Sequence, residues 1–246
     1  MVETREETRR AAKDRPLRAD ARHNRDRIMA AAREVFVELG PNAPLEEISR
    51  RAGTGIATLY RRFPDRNALM RAVVKDALER TAQAARDAAA AESDPFAALI
   101  RYMHQVLDIR VSAVIPALMS EVSLDDDPEI LHARHTSADH VESLIRAAKE
   151  AGTLQPDVTF ADIGLLLVRL ARPLPGPFSR ELNDSLAHRH LDLLINGLRA
   201  DGRATEQVEG PALSLDDLRV LRGEAPRHPT ATPTNPPTSS EAHSSD

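Results

Sequence analysis

Leu45-Glu46-Glu47-Ile48-Ser49-Arg50-Arg51-Ala52-Gly53-Thr54-Gly55-Ile56-Ala57-Thr58-Leu59-Tyr60-Arg61-Arg62-Phe63 decides how this chain folds. Leu45, Ile48 and Ala52 recur at helical spacing, and Ile56, Leu59 and Phe63 resume an apolar stripe after a break. Gly53 sits in the break, where a sharp turn demands a positive φ that residues with a Cβ resist. Thr58, Tyr60, Arg61 and Arg62 are left off the stripe. Two short amphipathic helices about a glycine, ending in an aromatic and basic cluster, have the layout of a DNA-reading helix-turn-helix.

The flanking sequence completes a helical unit. From about Arg22, Ile28, Ala32, Val35, Phe36 and Leu39 fall on one helical face, which Gly40-Pro41-Asn42 stops. Helix starts then recur: Asp65 before Arg66, Asp94 before Pro95, Asp127 before Pro128 and Thr159 before Phe160. Short polar side chains accept from the orphan N–H groups of a first turn, and proline suits its first position. Leu69, Ala72, Val73 and Ala77 lead a pattern that runs to about Glu92, and Phe96, Leu99, Ile100, Met103 and Leu107 lead the next. Pro116 breaks a stretch near Ile115, and Ile130, Val141, Leu144, Ile145 and Ala148 carry a helix to Gly152. With no alternating strand pattern and no Asn-Gly hairpin, the expected fold is all-α.

Composition narrows the function. The 246 residues, 41% hydrophobic, suffice for a substantial core. No run approaches the ~18 apolar residues of a membrane helix, and Met1 to Glu7 lacks the apolar stretch of a signal peptide. A cytoplasmic protein without a membrane partner is expected. Zero cysteines exclude disulfides, thiolate metal sites and a thiol nucleophile. A glycine-rich phosphate loop, a Gly-x-Ser-x-Gly elbow and His-Glu-x-x-His are all missing, so an enzyme is not expected.

The net charge of -5 conceals a split: residues 1–75 carry 17 Lys+Arg against 11 Asp+Glu, and the remainder 16 against 27. A basic front suits phosphate and an acidic rear keeps the other end soluble. Lysine occurs only at 13, 75 and 149, and arginine's planar fork suits bidentate contacts to phosphate and guanine. Residues 1–21 read as a disordered basic arm.

Ile163-Gly164-Leu165-Leu166-Leu167-Val168-Arg169-Leu170-Ala171 is apolar nearly all round. After Pro173-Leu174-Pro175-Gly176-Pro177, Leu182, Leu186, Leu191, Leu193, Leu194, Ile195 and Leu198 cover a wide arc. Two helices, about 160–172 and 180–199, thus have more apolar surface than one core face needs, and a homodimer closed by a four-helix bundle is expected there. Beyond about Gly202 the chain reads as a mostly disordered tail, apart from a possible short helix from Leu213 to Leu221.

From Arg22 to Lys75 the sequence resembles the TetR family of bacterial transcriptional regulators, with Ile48, Ala52-Gly53, Thr58-Leu59-Tyr60, Phe63 and Ala68-Leu69 at the family's spacing. The resemblance implies an N-terminal helix-turn-helix DNA-binding domain over 22–81, its helix-turn-helix at 44–63, and a helical ligand-binding and dimerisation domain over 82–200, with residues 201–246 as tail. It implies that Gly55, Ile56 and Ala57 approach bases or the sugar-phosphate wall. Thr58 and Tyr60 would bind phosphate, Arg61 and Arg62 would face DNA, and Arg66 stands where the family often has a phosphate-binding lysine. Where the family often has a threonine that caps the second helix, this chain has Ala43-Pro44, which supplies no hydroxyl.

It further implies a ligand-responsive homodimeric repressor, released from a palindromic operator by a small-molecule effector, with Met103, Leu107, Ile115, Met119, Leu144 and Phe160 as candidate pocket walls. No cofactor is expected. His104, His132, His135 and His140 invite a metal site, but without a convergent ligand set they read as ordinary histidines. The alternatives are an activator with the same head, or a helical protein-binding adaptor.

Overall fold

The computed structural model describes residues 23–110, 114, 118, 127–200 and 213–221. Helix α1 spans 23–39. It is followed by α2 (Leu45–Arg51), α3 (Ile56–Arg62), α4 (Arg66–Ala91), α5 (Pro95–Asp108), α6 (Pro128–Glu150), α7 (Phe160–Leu170), α8 (Arg180–Leu198) and α9 (Leu215–Leu221). Among the described residues β pairing is limited to one isolated antiparallel bridge, between Leu154 and Arg199. The all-α expectation is met.

Each expected helix start is a cap. Asp65 accepts from the Ala68 N–H, Asp94 from that of Phe96, and Asp127 from those of Glu129 and Ile130. Thr159 and Asp162 exchange side-chain and backbone bonds in a capping box. Gly40 ends α1 at φ 84°.

Two hydrophobic cores are strung on α4. The first gathers Ile28, Phe36, Ile48, Leu59, Phe63 and Leu69 from α1 to α4, together with Val114, Leu118 and Ile130. The second gathers Phe96, Leu99, Met103, Leu144, Leu154 and Ile163. Met70, Val73, Val74 and Leu78 of α4 serve the first, and Ala84, Ala85 and Ala88 serve the second. The small side chains of the later half let α5 lie close against it. The boundary expected at 81/82 lies within this continuous helix.

One apolar position departs from expectation. Leu39 shares the helical face of Val35 and Phe36, yet is 55% exposed, because Gly40 turns the chain away before the stripe reaches a neighbour. The break at Pro116, the arm and nearly all of the tail lie outside the described residues; α9 falls inside the short helix expected from Leu213 to Leu221.

Candidate nucleic-acid interface

The turn between α2 and α3 is built on Gly53, at φ 59°, inside the left-handed region. The Gly53 N–H donates to Arg50 O and the Thr54 N–H to Ser49 O, closing the end of α2. Gly55 then caps α3 in extended geometry, with the Thr58 N–H on its carbonyl at 2.9 Å. Leu45, Ile48, Ala52, Leu59 and Phe63 are buried, as the apolar spacing requires. Their burial fixes which face of α3 is presented outward.

That face carries Gly55, Ala57, Tyr60, Arg61 and Arg62, all exposed, with Ile56 and Thr58 half-buried beside them. Tyr60 is 47% exposed, so its ring is not a core element. The arginines of the two helices differ in occupation. Arg50 and Arg51 both grip Glu47, and Arg51 also reaches Glu38 at 2.5 Å. The hydrogen bonds from Arg50 and then Arg51 hold the Glu47 carboxyl down to about 2. Arg61 and Arg62, by contrast, have no acidic partner among the described residues. The positive charge of α2 is therefore largely answered within the head, and that of α3 is left for an outside anion.

Arg66 has a different occupation. Its Nη1 donates to Pro41 O at 2.9 Å and Ala43 O at 2.6 Å, tying the start of α4 to the loop before α2. Pro44, the residue preceding α2, makes no side-chain cap, consistent with the missing hydroxyl. Two supports from α1 were not anticipated from sequence: Arg27 Nη2 donates to Gly53 O at 3.3 Å, and the Arg25 guanidinium lies 5.0 Å from the Phe63 ring centroid. Nothing in linear spacing marks those arginines, since their partners are more than 25 residues away.

In the body, Met103, Leu107 and Leu144 are buried in the second core and Phe160 packs half-buried against it. Ile115 and Met119 lie outside the described residues. Leu107 also lines a cavity of about 60 Å³ between the ends of α5 and α8, with Asp108, Arg110, Asp184 and His188. A larger hollow of about 450 Å³ opens between α4 and α6, beside Lys75, Glu79, Arg86, Glu129 and His132. The Oε1 of Gln105 on α5 is buried without a hydrogen-bond partner. Among the described residues no group of three or more His, Asp or Glu is placed to hold a metal ion, and no helix is long and apolar enough to cross a membrane.

A helix-turn-helix head with an uncompensated cationic face, mounted on a separate helical core, defines a DNA-binding regulator. Residues 28–73 match the model of bacterial regulatory proteins of the tetR family, and residues 94–200 match the C-terminal domain of SbtR-like transcriptional regulators. A TetR transcriptional regulator from Streptomyces coelicolor is 31% identical, with 72% of this chain and 99% of that one covered and a TM-score of 0.52. One from Mycobacterium vanbaalenii is also 31% identical, covering 75% and 99%, at a TM-score of 0.51. The TetR-like regulator LfrR from Mycobacterium smegmatis, solved in complex with proflavine, shares the fold at 22% identity, with 75% and 98% covered and a TM-score of 0.51. No curated protein matches. The chain belongs to the TetR family, whose members are DNA-binding transcriptional regulators and not enzymes.

Proposed function

We propose that this chain is a homodimeric repressor that binds a palindromic operator and is released from it by a small molecule. The observation that carries the reading is the outward face of α3, where Arg61 and Arg62 have no acidic partner while Arg50 and Arg51 do. On DNA, Gly55, Ile56 and Ala57 approach the base edges at the N-terminal end of α3. Thr58, Tyr60, Arg61 and Arg62 hold phosphates. With Ile56 and Ala57 poor in hydrogen-bonding capacity, thymine-methyl packing and groove shape contribute to specificity. Arg66 acts from behind, by fixing the loop that presents α2.

Dimerisation is supported by apolar surface that the monomer leaves uncovered. Leu165 of α7, Leu182, Leu193 and Leu194 of α8, and Leu174 and Phe178 between them are all exposed. Of α8, only Leu191 and Ile195 are buried. Pairing these helices with a second copy covers that face and sets two heads at the spacing of two half-sites.

The effector enters the body around Met103, Leu107, Leu144 and Phe160, which belong to or pack against the second core. The cavity that Leu107 lines, about 60 Å³, is far below the volume of a drug-sized ligand, so binding there requires the helices to part. That displacement is what would shift the heads, with a coupling of about 1–3 kcal/mol typical of such linkage. Footprinting on DNA upstream of the chain's own gene is expected to show a protected palindrome in the cytoplasmic regulator's operator. No protection, together with an unchanged reporter on deletion, would overturn the proposal.

A further inference from the structure

Outside the DNA-facing surface, four titratable side chains join α5 to α8. His104 Nδ1 lies 2.8 Å from His188 Nδ1. His104 Nε2 lies 3.0 Å from Asp192 Oδ1, and His188 Nε2 lies 2.9 Å from Asp108 Oδ1. The arrangement is reciprocal: His104-x3-Asp108 on one helix crosses His188-x3-Asp192 on the other, which requires the helices to run antiparallel. The ring planes differ by 8° with centroids 5.1 Å apart. Face-to-face rings would keep their atoms about 3.5 Å apart or more, so the 2.8 Å contact is an in-plane meeting of nitrogens, a hydrogen bond.

Three hydrogen bonds in a row need three protons. Two neutral imidazoles carry two, which leaves either two lone pairs facing one another or one facing a carboxylate. Two imidazolium rings carry four, which sets two N–H groups head to head. Only the state with a single extra proton, shared between the rings, satisfies every link. We infer that the Asp192–His104–His188–Asp108 chain is a one-proton fastener between α5 and α8, closed in a window of pH and loosened on either side of it.

The charged groups around the pair are consistent with one cation there. Asp108 and Arg110 come from the end of α5, Asp184 and Asp192 from α8, and Arg172 from the segment after α7. Arg110 is taken by Asp184, and Arg101, one turn before His104, is taken by Glu92 at 3.1 Å. The two carboxylates of the chain therefore face the imidazoles with their charge available. The fastener matters beyond its own contact because α8 also begins with Arg180, which bonds Glu34 of α1 at 2.8 Å. Loosening α8 from α5 thus reaches the head.

Loss of the shared proton leaves one of the three links unmade, and a fourth proton sets two N–H groups head to head between the rings. The test is NMR of the full chain with ¹⁵N-labelled histidine, titrated from pH 5 to 9, beside thermal melts at one protein concentration. The expected result is a through-hydrogen-bond coupling between the two Nδ1 nuclei that appears only in an intermediate window. Within that window the His188→Gln variant should melt about 2–4 °C lower than the parent, the gap closing at both ends. A His104 titration unaltered by His188→Gln, or wild-type spectra in which both rings titrate as independent single sites, overturns the inference. If the variant does not fold, the wild-type spectra decide alone.

Discussion

Arg62 and Arg66 lie four residues apart and both read as DNA ligands in sequence, yet their surroundings separate them. Arg62 is exposed without an acidic partner, and Arg66 spends Nη1 on Pro41 O and Ala43 O. Salt dependence distinguishes the two roles. Arg62→Ala is expected to weaken operator binding and to shallow the slope of log affinity against log salt by about one. Tyr60→Phe is expected to weaken it as well, by removing a neutral hydroxyl contact. Arg66→Ala is expected to weaken binding with the slope unchanged and to lower folding stability by about 1–3 kcal/mol, as loss of charge-assisted bonds does. Binding isotherms at several salt concentrations and urea melts check all three; a reduced slope for Arg66→Ala would return it to the phosphate contacts.

Among the elements, the turn from α2 to α3 bears the most constraint. Gly53 holds φ 59°, and a Cβ there would also come within 2.3 Å of Arg27 Nη2. The flexible arginine moves aside easily, but the backbone strain remains, so Gly53→Ala is expected to cost about 1–2 kcal/mol, measured as a lowered denaturation midpoint. Helix α2 also carries a pH dependence. The Glu47 carboxyl is held down to about 2 by Arg50 and Arg51, below the ordinary carboxylate range near 4.3. A depressed value stabilises the fold above the unfolded range and ceases to do so as the pH falls toward 2. Acid unfolding of Glu47→Gln is therefore expected to be flatter than the parent's between about pH 4.3 and 2. Equal steepness would mean that the exposed arginines give Glu47 no net preference for its charged form.

For the whole molecule, the governing question is what covers the apolar faces of α7 and α8. Leu193 is 60% exposed, beside Leu194 and one face away from the buried Leu191 and Ile195. Leu193→Asp is expected to leave the helical content intact and to give a monomer in sedimentation equilibrium, with operator affinity lost in parallel because one head grips one half-site. A dimer of undiminished affinity would place the interface elsewhere. The two cores explain why such a change can be tolerated by the fold: Leu193 belongs to neither.

Helix positions, the caps at Asp65, Asp94, Asp127 and Thr159, the Gly53 turn and the apolar stripe through Leu59 and Phe63 were legible in the sequence, because each rests on neighbours within a few residues. The outward set on α3 was legible for the same reason: with one apolar stripe turned to the core, Tyr60, Arg61 and Arg62 off that stripe are left exposed. What the linear chain left open depends on partners brought from far away. Only the folded packing decided that Arg51 also meets Glu38 of α1 while Arg61 and Arg62 meet no acidic partner, and that Arg66 grips the Pro41 and Ala43 carbonyls. It alone leaves Leu39 exposed, and it joins two His-x3-Asp segments 84 residues apart into one hydrogen-bonded chain. Periodicity states which face of a helix is apolar, whereas the partner that meets a charged side chain is set by how helices cross, and that is a property of the packed cores.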